Sequence, residues 1–118
     1  MSMQRIEIGF SRTHNSLRDV LLDHGLASLG DSYVNFVFSL ALSNREKAPV
    51  GIKVKGSLLA EALRRAGVRE FLPSRMSRHE LADAAEAMMI YAWLNNSLGL
   101  YESVTLVEKY SDPVEGLS

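Results

Sequence analysis

Three acidic residues stand where they could share chemistry. Asp83 and Glu86, in Ala82-Asp83-Ala84-Ala85-Glu86-Ala87, are three positions apart, so both project from one face of a helix. The alanines around them leave room for something bulky and hydrated. Asp31 interrupts an otherwise apolar stretch, Leu29-Gly30-Asp31-Ser32-Tyr33-Val34. An aspartate in mid-helix is a poor helix former and is expensive to bury unpaired. Carboxylates suit hard divalent cations such as magnesium, which take oxygen donors and retain water. Each acid also has a plainer role: Asp31 as a helix cap or an arginine partner, Asp83 and Glu86 as acids favoured by a helix dipole. Taken singly, the residues leave both readings open.

Other chemistries find little support. The chain has no cysteine, which excludes a disulfide framework, a thiolate zinc site and a cysteine nucleophile. His14, His24 and His79 are scattered and form no helical zinc pair. His79 lies four residues before Asp83, within reach of the same helix face. Gly51 and Gly56 lack the flanking pattern of a phosphate loop.

The elements that must position these acids are helical. Asn15 or Ser16 caps a helix over Leu17 to His24, which Gly25 interrupts. A second, more apolar helix is expected from about Leu26 to Leu42, with Leu26, Leu29, Tyr33, Phe36, Val37 and Leu40 at core spacing. Asn44 to Val50 reads as a loop, with Pro49 disfavouring helix before it. Ser57 is the expected cap of a third helix over Leu58 to Ala66, stopped by Gly67. Val68 to Leu72 is a short helical turn closed by Pro73. Ser77-Arg78-His79-Glu80 reads as a capping box opening a long helix to about Asn95. Gly99 ends that helix, and Leu100 to Tyr110 forms the last one. Met76, Met88, Met89, Tyr91 and Trp93 are expected to pack. The expectation is one all-α domain over residues 1–118, with its core at 16–110 and tails at 1–10 and 112–118.

The chain of 118 residues is 47 % hydrophobic and 23 % charged, ordinary for a globular domain. No apolar run approaches the roughly 20 residues of a membrane helix. Without a signal-peptide pattern, a cytoplasmic location and no membrane partner are expected. The net charge of −1 conceals an uneven distribution. Residues 45–78 carry nine basic and three acidic side chains, a net of +6; residues 79–118 carry one basic and seven acidic, a net of −6. A basic middle suits phosphates and an acidic segment suits a metal, although exposed charge more often only solvates a surface.

Four segments in order resemble the ribonuclease III endonuclease domain. Leu26-Ala27-Ser28-Leu29-Gly30-Asp31-Ser32-Tyr33-Val34 resembles its signature, and Asp83-Ala84-Ala85-Glu86-Ala87-Met88-Met89 resembles its second acidic motif. Val54-Lys55-Gly56-Ser57-Leu58-Leu59-Ala60 and Gly67-Val68-Arg69-Glu70-Phe71-Leu72 resemble the segments between them. The match runs over about residues 16–98. It is similar to compact Mini-ribonuclease III and archaeal ribonuclease III-like members, which lack a separate double-stranded-RNA-binding domain. The signature glutamate is Ala27 here, another acidic position is His24, and the phenylalanine that packs into a partner subunit is Ser28.

The resemblance implies a magnesium-dependent endoribonuclease, with manganese as a substitute, that cuts double-stranded RNA such as structured ribosomal RNA precursors. It carries metal binding to Asp31, Asp83 and Glu86, with Asp31 and Glu86 catalytic. The metal would activate a water for in-line attack and neutralise charge on the phosphate and leaving oxygen. It also implies a symmetric homodimer, because a twofold pair of sites matches the two strands of a duplex. Lys53, Lys55, Arg75 and Arg78, flanking the third and fourth helices, are the RNA-binding candidates, with Arg64, Arg65 and Arg69 behind them. The alternative is a catalytically degenerate dimer that binds RNA or acts as a scaffold.

Overall fold

Two short polar side chains start the first two helices. Ser16 accepts a hydrogen bond from the Asp19 amide and caps α1, Leu17–Leu21. Asp23 accepts from the Leu26 amide at 3.0 Å and caps α2, His24–Glu46. The break between them therefore falls at Leu22–Asp23, and the interruption expected at Gly25 does not occur. A cap satisfies amides that the first helical turn leaves without partners, so Gly25 is carried inside α2. At its other end α2 runs through Asn44 to Glu46, further than expected, and stops at Lys47, whose φ of 56° is left-handed. The loop thus begins three residues later than Asn44.

The computed structural model describes residues 9–10 and 14–110, without the side chain of Tyr110. Most of the strand or tail expected over 1–10, and all of the tail over 112–118, lie outside the described residues. Among the described residues the fold continues with α3 (Gly56–Arg65), a 3₁₀ turn (Arg69–Phe71), α4 (Arg78–Leu94) and α5 (Leu100–Tyr110). It contains no strand among them. Helix α3 starts one residue before Ser57. Lys55 occupies the capping position without a side-chain bond, so Ser57 does not act as the cap. Gly67 follows α3 with φ of +75°, a conformation glycine adopts without penalty. The Ser77–Glu80 capping box is formed in both directions, at 3.1 and 2.9 Å.

Helix α4 is the hub. It packs against α2, α3 and α1, while α5 packs against α2. Its buried residues are Ala82, Ala84, Ala85, Glu86, Ala87 and Ile90, and alanines on several faces let neighbouring helix backbones approach closely. Val34, Val37 and Ala41 of α2 meet Leu59 and Leu63 of α3 and Val104 and Val107 of α5 in the main core. Each fully buried aliphatic side chain there contributes about 1.5–3 kcal/mol. Met88 and Met89 pack against this core as expected. Tyr33 joins three helices: its hydroxyl donates to Ser103 Oγ of α5 at 3.2 Å, and its ring lies 5.8 Å from that of Trp93 of α4. His14 joins the start of α2 to α4, with Nε2 3.0 Å from Asp23 Oδ2 and its ring edge-on to Tyr91.

Candidate functional site

Helices α2 and α4 each present a stripe of side chains spanning eight residues to one cavity. On α2 the stripe is His24, Ala27, Ser28 and Asp31; on α4 it is His79, Ala82, Asp83 and Glu86. Residues at i, i+3, i+4 and i+7 share a helix face, so each stripe looks in one direction. Lys53, Val54, Gly56 and Leu59 close the cavity from the segment that enters α3, and its volume is about 500 Å³. Asp31, Asp83 and Glu86, distant in sequence, thus border one space.

The three acids differ in environment. Glu86 is buried, at 7 % exposure, Asp31 is exposed and Asp83 is half-buried. Burial raises the Glu86 carboxyl to about 8, because low-dielectric surroundings penalise its charged form. A hydrogen bond to Asp31 and the negative charges of Asp31 and Asp83 push in the same direction. Lys53 opposes them with its positive charge. The protonated form of Glu86 is thus favoured, with the Asp31 carboxyl group beside it.

Neighbouring side chains contact Asp31 and Asp83. Asn35, one turn beyond Asp31, donates from Nδ2 to Asp31 Oδ1 over a long 3.5 Å. His79 Nε2 lies 3.6 Å from Asp83 Oδ2 on the same face of α4. Among the described residues no group of three histidine or carboxylate side chains is close enough together to form a ready-made metal site. The arrangement offers the neighbouring carboxyl groups of Asp31 and Glu86, a third acid beside them, a lysine lining the same cavity and one imidazole on each helix.

The basic candidates divide. Lys53 lines the cavity and Lys55 is exposed two residues further on. Arg75 and Arg78 are exposed but outside the cavity wall. Arg64 and Arg65 both bond to Glu61, at 3.0 and 3.2 Å. Asn35 looks in the sequence like a polar interruption in an apolar helix, and only its four-residue spacing from Asp31 signals a part in the site.

A protein-family model described as ribonuclease III matches residues 24–116 of the chain. That span begins with α2 and includes all the acids of the cavity. No match is found among curated proteins.

Proposed function

The chain belongs to the ribonuclease III family, and from that premise we propose that it is an endoribonuclease cutting double-stranded RNA in the cytoplasm, as a homodimer with a magnesium-dependent site in each subunit. The observation that carries the reading is the Asp31–Glu86 carboxyl pair at an open cavity, with Asp83 and Lys53 beside it. Such a cluster of like charges is costly unless something cationic relieves it.

The donor set fits a hard divalent cation. It supplies carboxylate oxygens without sulfur, and magnesium is commonly held by one or two carboxylates with water completing its shell. Asp31 and Glu86 would hold the ion, with Asp83 contributing directly or through water. When bound, the ion supplies Lewis acidity at the phosphate and a water of lowered pKa. Glu86 would bind the ion as the carboxylate, a form that a nearby cation favours. Asn35 and His79 hold Asp31 and Asp83 in orientation. Lys53 and Lys55 engage phosphates at the cavity, while Arg75 and Arg78 extend contact along the duplex, which is read by shape and backbone.

The dimer reading is supported by α2. Leu29 and Phe36, 42 % and 51 % exposed, lie two turns apart on one face with the exposed Ser28 and Ser32. A second copy of the chain would cover this apolar stripe.

The test is a long RNA duplex incubated with magnesium, manganese or chelator, alongside Asp31→Asn. Cation-dependent cleavage that the variant loses supports the nuclease. Salt-sensitive binding without cleavage in either protein supports the second reading, a non-cutting RNA-binding relative. That reading is favoured by Ala27 in place of the signature glutamate.

A further inference from the structure

The segment that brings Lys53 to the cavity has no regular secondary structure over residues 49–55, yet its main chain is held at every second residue. Ser43 Oγ accepts from the Val50 amide at 2.8 Å and donates to the Val50 carbonyl at 3.1 Å. Ser39 Oγ accepts from the Ile52 amide at 2.9 Å and donates to the Ile52 carbonyl at 3.4 Å. Asn35 Oδ1 accepts from the Val54 amide at 2.8 Å. The holders are four apart on α2 and the held residues two apart on the segment, which runs back antiparallel to the helix.

The two spacings agree physically. Four residues of α-helix rise about 6 Å, and two residues of extended chain rise about 6.6 Å. A helix face bearing hydrogen-bonding side chains at i, i+4 and i+8 can therefore grip alternate residues of an extended chain, as a neighbouring strand would. With Val50, Ile52 and Val54 held to α2, Lys53 and Lys55 occupy the alternate positions, and both are exposed. Slipping the segment by one residue would exchange the two sets. Asn35 has a double part, because the amide that receives Val54 with its oxygen donates to Asp31 with its nitrogen.

We propose that Asn35, Ser39 and Ser43 are positioning residues, a polar ladder that sets the register of residues 50–54 so that Lys53 faces the carboxyl groups and contacts a phosphate of the RNA. The contact part rests on the nuclease reading; the ladder does not. Lys53 is thereby fixed by the helix that carries Asp31, and cation and acid move as one unit.

Two measurements test this. Amide hydrogen exchange of Val50, Ile52 and Val54 is read in the wild type and in Asn35→Ala, Asn35→Asp, Ser39→Ala and Ser43→Ala, with circular dichroism confirming the helices. Each alanine variant should speed exchange at its own amide at least tenfold. Asn35→Asp, which keeps the accepting oxygen, should leave Val54 protected. Unchanged exchange in the alanine variants overturns the ladder. Second, duplex-RNA affinity is measured against salt for the wild type, Lys53→Ala, Asn35→Ala and the double variant. Losing the phosphate contact should reduce the salt slope by about 1 for each subunit engaged on the duplex. The double variant should bind no more weakly than Lys53→Ala alone, because Asn35 acts through Lys53. Independent, multiplying losses, or no loss in Lys53→Ala, overturn the positioning of Lys53. A chain that binds no duplex at all removes the nuclease reading and the phosphate contact, while the exchange data still decide the ladder.

Discussion

Gly30 of α2 packs directly on the main chain of Glu86 of α4. A Cβ on Gly30 would lie 2.6 Å from the Glu86 carbonyl carbon and closer still to its oxygen. The glycine beside Asp31 is therefore a point of very close approach between the two site-bearing helices, next to where the Asp31 and Glu86 carboxyl groups meet.

Gly30→Ala should consequently separate α2 from α4 at the site itself. The obstacle is backbone, which cannot rotate away as a flexible side chain can. Overpacking of this kind costs about 1–3 kcal/mol or more, outweighing the gain of up to about 1 kcal/mol in helix propensity. Urea denaturation should show the loss, and Glu86 should titrate at lower pH in the variant as the contact with Asp31 loosens.

Glu86 makes a second prediction, about stability and pH. Its folded-state pKa of about 8 lies above the ordinary value of 4.5. Between those values the folded chain binds more protons than the unfolded one, so this group's contribution to stability falls as pH rises. Glu86→Gln removes the liability and keeps a similar shape. It should be more stable than the wild type at pH 8, with the advantage vanishing near pH 4.5. A pKa unit corresponds to about 1.4 kcal/mol, and screening by solvent at the open cavity reduces the sum. The gain at pH 8 should be on the order of 1–2 kcal/mol by thermal or chemical denaturation. A variant no more stable at pH 8 than at pH 5, relative to wild type, would contradict the raised value.

How far the site was legible in the sequence follows from what is local and what is not. The capping box at Ser77–Glu80 and the stop at Gly67 were readable, because caps involve residues three or four apart. The start of α2 is not legible in this way: Gly25 looks like a breaker, while Asp23, the actual cap, lies two residues before it. Ser57 looked like a better cap than Lys55, yet α3 starts on Lys55 without a side-chain bond. The meeting of Asp31 with Glu86 was expected only through family resemblance, since nothing in the spacing of residues so far apart specifies contact. Asn35, Ser39 and Ser43 were invisible as a ladder because their partners are backbone groups, whose positions leave no mark on residue type.

The capping box can be priced by itself. Ser77→Ala removes the acceptor for the Glu80 amide at 3.1 Å and should cost about 1 kcal/mol. Because Ser77 lies outside the cavity, duplex binding by the folded protein should be unaffected. A stability loss by denaturation, with wild-type RNA affinity, is the expected pair of results. It matters for the site because α4 carries His79, Asp83 and Glu86 in the turns immediately after this cap.

Ala27 offers the most direct comparison between this chain and the signature it resembles. It is 6 % exposed, lines the cavity, and precedes Asp31 by one helical turn on the same face. Ala27→Glu places a fourth carboxyl among Asp31, Asp83 and Glu86, where the present cluster already raises Glu86. Without a cation the added charge and bulk should destabilise the fold, by about 1–3 kcal/mol. With a divalent cation the sign reverses, because a ligand that binds only the folded state stabilises it in proportion to the logarithm of its occupancy. The variant should therefore melt below the wild type in chelator but gain more from added manganese, and the two melting curves should approach or cross as the cation concentration rises. Equal gains in both proteins would mean that the added carboxyl does not ligate the cation, and no gain in either would mean that the cavity does not gather cations through its carboxyl groups.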